Sequence, residues 1–135
     1  MKNIIIIVIA IIVFSTTVVK AQAPALTQEQ KNEAMTIPQI ITKFAQKYDL
    51  SSYQMTAIVK CESSMNPNAI NYNDGGKDKH SKGMWQFQDS TFEMYSKQLG
   101  EKLDVYSAYD STKVASYMIS KGEIRQWSCS KKIHS

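Results

Sequence analysis

The sequence predicts a mainly α-helical domain, and three observations carry that reading. Ile37, Ile40, Ile41, Phe44, Ala45 and Tyr48 recur at the period of an amphipathic helix. The pairs Thr36/Gln39, Ser51/Gln54 and Ser90/Glu93 stand three residues apart, as the two members of a capping box do. Gly100 and Gly122 follow apolar-periodic stretches, where helices end in a left-handed residue. With 135 residues, the chain has room for one domain and one core.

Residues 1–23 stand outside that domain. A short positive start, an unbroken apolar run from Ile4 to Phe14, and the small-x-small site Ala21-Gln22-Ala23 together read as a secretory signal peptide cleaved near Ala23. Pro24 hinders a cut at that point, so Ala21 and Ala25 are alternative sites. Val18 and Val19 extend the apolar run and keep an uncleaved anchor as the competing reading, although a spanning helix needs about 20 residues. No cysteine follows the run closely, which excludes a lipoprotein anchor there. The protein is therefore expected to be exported to periplasm, cell envelope or medium. Residues 24–35 are polar and read as a linker, and 36–135 as the domain.

Loss of residues 1–23 removes two basic residues and no acidic one, so the formal charge falls from +4 to +2. Without a Lys/Arg cluster, nothing points to nucleic acid. Cys61 and Cys129, 68 positions apart in an exported chain, are most simply a disulfide joining a helix to the C-terminal tail. A zinc site built from Cys61, His80, Cys129 and His134 lacks the close ligand pairs zinc usually takes, so no metal or other cofactor is expected.

The helices follow in order. Thr36 caps the first, and Pro38 is tolerated in its first turn. Ser51 caps a second, which runs through Met55, Ala57, Ile58 and Cys61 to Glu62. Asn66-Pro67 then ends it, because Pro67 disfavours the α conformation at Asn66. Glu62 thus stands at the negative end of a helix dipole, at the edge of a cavity, where the protonated acid is favoured and general-acid work is open to it. Asn73-Asp74-Gly75-Gly76 marks a loop or short irregular hairpin. As a calcium loop this stretch fails, because Lys82 stands where the bidentate Glu belongs. Asp89 or Ser90 caps a third helix that stops at Gly100, and Asp110 caps a fourth that closes at Gly122. Between them and the hairpin, Met84, Trp85 and Phe87 read as packing. Gly83 instead reads as a place of close backbone approach to a ligand and Gln86 as a side chain needing an amide partner. Trp85 is equally a core residue or a sugar-stacking one.

Three features in order resemble a known family. Glu62-Ser63-Ser64-Met65-Asn66-Pro67-Asn68-Ala69 resembles the E-S-x-x-N-P-x-A signature of soluble lytic transglycosylases, in the lysozyme-like superfamily. Ser81-x-Gly83-Met84-x-Gln86 resembles the S-x-G-L-x-Q element that follows it there, and the helix from Asp110 to Gly122 a later packing helix. The resemblance covers about residues 36–122 and implies a lysozyme-like helical domain that cleaves the β-1,4 bond between N-acetylmuramic acid and N-acetylglucosamine in peptidoglycan, without metal.

By the same resemblance Glu62 protonates the leaving glycosidic oxygen and then acts as base, with the substrate's N-acetyl group assisting. Ser63 supports Glu62, while Ser81, Gly83, Met84 and Gln86 line the glycan cleft. The family's Ala-Tyr-Asn element is absent. Tyr117, Tyr106 or Tyr109 substitutes for its tyrosine, which in the family contacts the catalytic Glu, or the cleft is abbreviated and activity low, or Trp127-Ser128-Cys129 closes the site instead. Asp74 and Asp78 keep a hydrolytic, lysozyme-type reaction open. The expected partner is peptidoglycan, acted on by a monomer alone or within an envelope-spanning assembly. A glycan-binding or envelope-assembly protein that has kept this fold and lost turnover is the alternative, and a secreted helical interaction module a third reading.

Overall fold

The structure, a computed structural model, describes residues 25–74 and 80–133. The expected signal peptide, Asp78 and His134 lie outside them. The fold is mainly helical. In chain order it comprises α1 (Gln28–Glu33), α2 (Ile37–Tyr48), α3 (Ser52–Ser63), β1 (Ile70–Asn71), β2 (Ser81–Lys82), α4 (Asp89–Leu99) and α5 (Ala108–Ser120). Two short 3-10 helices follow, Glu123–Gln126 and Ser128–Lys132. No helix among the described residues is long and apolar enough to cross a membrane.

The stretch read as a linker contains α1. Thr27 and Gln30 form a capping box at its start, and Lys43 Nζ of α2 donates to Asn32 Oδ1 at 3.1 Å. None of its residues is buried, so its six residues give no apolar period from which a helix can be read. At α2 the Gln39 side chain folds back to accept from the Thr36 N–H and hydroxyl, and Ile40, Ile41, Phe44 and Ala45 form the buried stripe. Ser51 caps α3 as expected, its hydroxyl accepting from Gln54 N–H.

Two helix starts differ from expectation. The cap residue of α4 is Gln88, not Asp89 or Ser90, and its side chain makes no capping bond. α5 begins at Ala108 under Ser107, whose hydroxyl accepts from Asp110 N–H, so Asp110 lies inside the first turn. There its carboxylate accepts from Asp104 N–H at 3.0 Å and also suits the positive end of the helix dipole.

β1 and β2 form the short hairpin expected after α3, antiparallel with Ile70 opposite Lys82 and Asn71 opposite Ser81. Below it the chain turns sharply from Lys82 to Phe87, whose main chains bond reciprocally at 2.8 and 2.9 Å. This turn carries Met84 and Trp85 into the centre of the protein, where both are fully buried among Ile41, Ile58, Val59, Val114 and Met118. Trp85 is therefore core. Its indole N–H donates to Thr112 Oγ1 on α5 at 3.1 Å, which satisfies the polar end of a buried ring. The Trp127 ring packs edge-on to Trp85 and donates its own N–H to the Trp85 carbonyl at 2.7 Å, bringing the tail into the core.

Candidate active site

Glu62 occupies the last turn of α3. The helix stops there because Ser64 and Met65 both take left-handed backbone conformations, with φ of 55° and 64°. Outside glycine and asparagine that conformation is uncommon, and here it turns the chain away from the helix axis towards Asn66-Pro67. The Asn66 side chain accepts from Asn68 N–H, fixing the exit. Ser63 Oγ donates to the Met84 carbonyl at 2.8 Å, so the helix end and the Lys82–Phe87 turn are held together one residue from Glu62.

The Glu62 carboxylate is half-buried and opens into a cavity of about 310 Å³. Asp74 and Ser81 of the hairpin region, Gln86 to Gln88 of the turn, and Gln126 to Ser128 of the tail line it, with Thr91 and Met118 from α4 and α5. Among the described residues, every lining side chain apart from the two carboxylates is uncharged, and most are amides and hydroxyls. These offer donors and acceptors to a neutral, hydroxyl-rich ligand. Ser81, itself buried, donates its hydroxyl to Asp74 Oδ2. Cys129 N–H donates to Glu62 Oε1 at 3.2 Å.

The expected site residues separate into two groups. Glu62, Ser81 and Gln86 meet at the cavity, and Ser63 braces the helix end behind it. Gln86 holds a left-handed backbone, φ 51°, with its amide donating to the Gly83 carbonyl at 2.8 Å, so its partner is the turn itself. Met84 does not line the cleft: its side chain is in the core and only its carbonyl serves the site, through Ser63. Gly83 is buried too. A Cβ there would lie 2.3 Å from the Val105 carbonyl oxygen, so the close approach is to the loop before α5 rather than to a ligand.

Tyr117 likewise stands apart, packed between Tyr48 and Tyr95 with Lys121 over its ring. Tyr109 packs on Phe44. His80, the other described member of the candidate zinc set, is half-buried with its ring against Tyr72. Cys61 and Cys129 are bonded to each other, Cα atoms 6.0 Å apart, which removes both from any zinc site.

The tail is the part of the cleft least visible in the sequence. Gln126, Ser128, Gln88 and Thr91 carry no motif. A tail reaching the site was signalled only by the Cys61/Cys129 pairing and the adjacent Trp127. A second hollow, about 550 Å³ and lined by Glu29, Glu33, Asp104 and Asp110, lies between α1 and α5.

Residues 39–128 match the family described as the transglycosylase SLT domain. No curated protein and no solved structure matches the chain.

Proposed function

The chain belongs to the transglycosylase SLT domain family, whose chemistry is cleavage of peptidoglycan, and on that premise we propose that it breaks the β-1,4 bond between N-acetylmuramic acid and N-acetylglucosamine with Glu62 as the catalytic acid and base. The observation that carries this reading is the position of Glu62: a carboxylate at a braced helix end, opening into a cavity whose described lining is mostly amides and hydroxyls, with one second acid. Glu62 gives its proton to the glycosidic oxygen as the bond from the muramoyl C1 breaks, and the N-acetylglucosamine side leaves as the alcohol. The resulting carboxylate then takes the proton of the muramoyl 6-hydroxyl as that oxygen attacks C1, closing a 1,6-anhydro ring. In this reading Gln86, at the cavity wall, meets the sugar hydroxyls and acetamido groups.

Asp74 favours a second outcome. With two carboxylates in one cavity, Asp74 can take a proton from water, which then attacks C1 and leaves a reducing-end sugar. Ser81 supports this branch by holding Asp74 Oδ2. The peptidoglycan substrate and the disulfide both suit an exported protein, and residues 1–23 supply the export signal in this reading.

Purified protein incubated with sacculi, followed by mass spectrometry of released muropeptides, tests both points. Glu62→Gln is expected to release none. Asp74→Asn is expected to keep cleavage and raise the anhydro share. A wild-type protein that binds sacculi and releases nothing at any pH would leave only glycan binding.

A further inference from the structure

The helix end that carries the proposed acid and base is joined twice to one residue of the C-terminal tail. Cys129 is bonded through its sulfur to Cys61, and through its main-chain N–H to Glu62, the next residue of α3. A covalent bond and a hydrogen bond thus run from the same residue to adjacent positions of one rigid helix, so few rotatable bonds separate the donor from its acceptor. The tail is fixed from the other side as well. Trp127 is buried and donates to the Trp85 carbonyl, and Ser130 N–H bonds back to the Trp127 carbonyl at 3.0 Å. Tyr117, one of the three tyrosines expected to substitute for the family's, packs between Tyr48 and Tyr95 instead.

We propose that the disulfide-tethered turn Trp127–Cys129 is the positioning device for Glu62: the tether holds Cys129 N–H against Oε1 and so sets the direction in which the carboxyl group faces a glycan in the cleft. The proposal rests on the acid/base role of Glu62 stated above. Cys129 is a positioning residue, acting through its main chain, and its side chain serves only as the anchor. Breaking the tether leaves Trp127 in the core, so the loss is local to the cleft.

Cys61 is solvent-exposed, so a dithiol can reach the bond. Dithiothreitol supplies two electrons and two protons, the S–S bond becomes two thiols, and the reagent closes to its cyclic disulfide. Two readouts are followed on the purified protein: hydrogen exchange at the residue 129 amide, and kcat and KM for muropeptide release from sacculi. Reduction is expected to speed exchange at residue 129 while α2 amides stay protected, and to lower kcat about 10- to 100-fold with KM little changed, as for a catalytic group misplaced by about 1 Å. Cys61→Ser with Cys129→Ser, which keeps the amide, is expected to behave as the reduced protein.

Should loss of the disulfide unfold the chain, oxidised variants still decide the matter. Glu62→Ala removes the acceptor and is expected to speed exchange at residue 129. Glu62→Gln keeps an acceptor oxygen, and is expected to leave that amide protected while abolishing cleavage. An amide that stays protected in the reduced protein or in Glu62→Ala overturns the proposal, as does a kcat that is unmoved when protection is lost. A wild-type protein that releases no muropeptides sinks the acid/base reading by itself, and the exchange measurements still decide whether the tether holds the donor.

Discussion

Replacing Gly83 with alanine separates a glycine needed by the fold from one needed by a ligand. Gly83 has φ +72°, and an added methyl carbon would meet the Val105 carbonyl oxygen at 2.3 Å and its carbon at 3.3 Å. Forcing an L-residue into the left-handed conformation costs roughly 1–2 kcal/mol. The overlap is with main chain, so relief requires Val105 and the loop before α5 to move by about 1 Å, at a cost of about 1–3 kcal/mol by analogy with an overpacked core. Alanine's lower entropy in the unfolded chain returns about 0.4–1 kcal/mol. The net loss is about 1–4.5 kcal/mol, or on the order of 5–30 °C in unfolding midpoint for a domain of this size. Urea unfolding followed by tryptophan fluorescence measures it directly, since Trp85 and Trp127 are both buried beside the turn. A Gly83→Ala protein within about 0.5 kcal/mol of wild type, the usual range of a neutral surface change, refutes the packing argument. If that protein had also lost sacculus cleavage, the glycine would belong to the ligand after all.

Three further outcomes follow from the same contacts. Trp127→Phe keeps most of the ring but leaves the buried Trp85 carbonyl unpaired, and is expected to lose about 1–3 kcal/mol in denaturant unfolding. Reducing the Cys61–Cys129 bond, which closes a 68-residue separation, is expected to lower stability by about 4 kcal/mol in the chain-entropy description, read as the difference between unfolding curves with and without dithiothreitol. The Asp110 carboxyl is held above its usual range, chiefly by burial, against the pull of the Asp104 N–H. The folded chain therefore holds that proton more tightly than the unfolded chain does, and this contribution to stability, complete at low pH, is lost as pH rises through the raised value. Asp110→Asn, which retains an acceptor for Asp104 N–H, is expected to flatten the stability profile from about pH 4 upward and to be relatively more stable at neutrality.

What the sequence made legible is local. Thr36/Gln39 and Ser51/Gln54 place helix starts because the capping bonds involve only residues three apart. Glu62 could be placed at a helix end because Pro67 constrains its own neighbourhood. The hairpin followed from its turn residues. What stayed hidden depends on which distant main chain comes near. Gly83 and Met84, within an S-x-G-L-x-Q-like stretch, read as cleft lining, yet the group that approaches Gly83 is Val105, 22 positions on. The Glu62 partner is an amide 67 positions away, and an amide has no residue type by which to recognise it. α1 escaped for the opposite reason: the Thr27/Gln30 box was there to be read, but a helix with no buried face gives no period. The α4 start shifted to Gln88 because the chain enters that helix directly from the Lys82–Phe87 bridge, whose geometry overrides the capping preference of Ser90.

The cleft draws its walls from opposite ends of the domain, Glu62 to Gln88 on one side and Gln126 to Cys129 on the other. Loop-closure entropy opposes bringing such segments together until the chain between them is ordered, so α4 and α5 must be in place before the tail can dock. Order of assembly therefore follows from architecture: the helical core forms first, and the cleft closes with the final turn. A carboxylate that gains its partner only at the last step of folding is a site that a partly assembled chain does not carry.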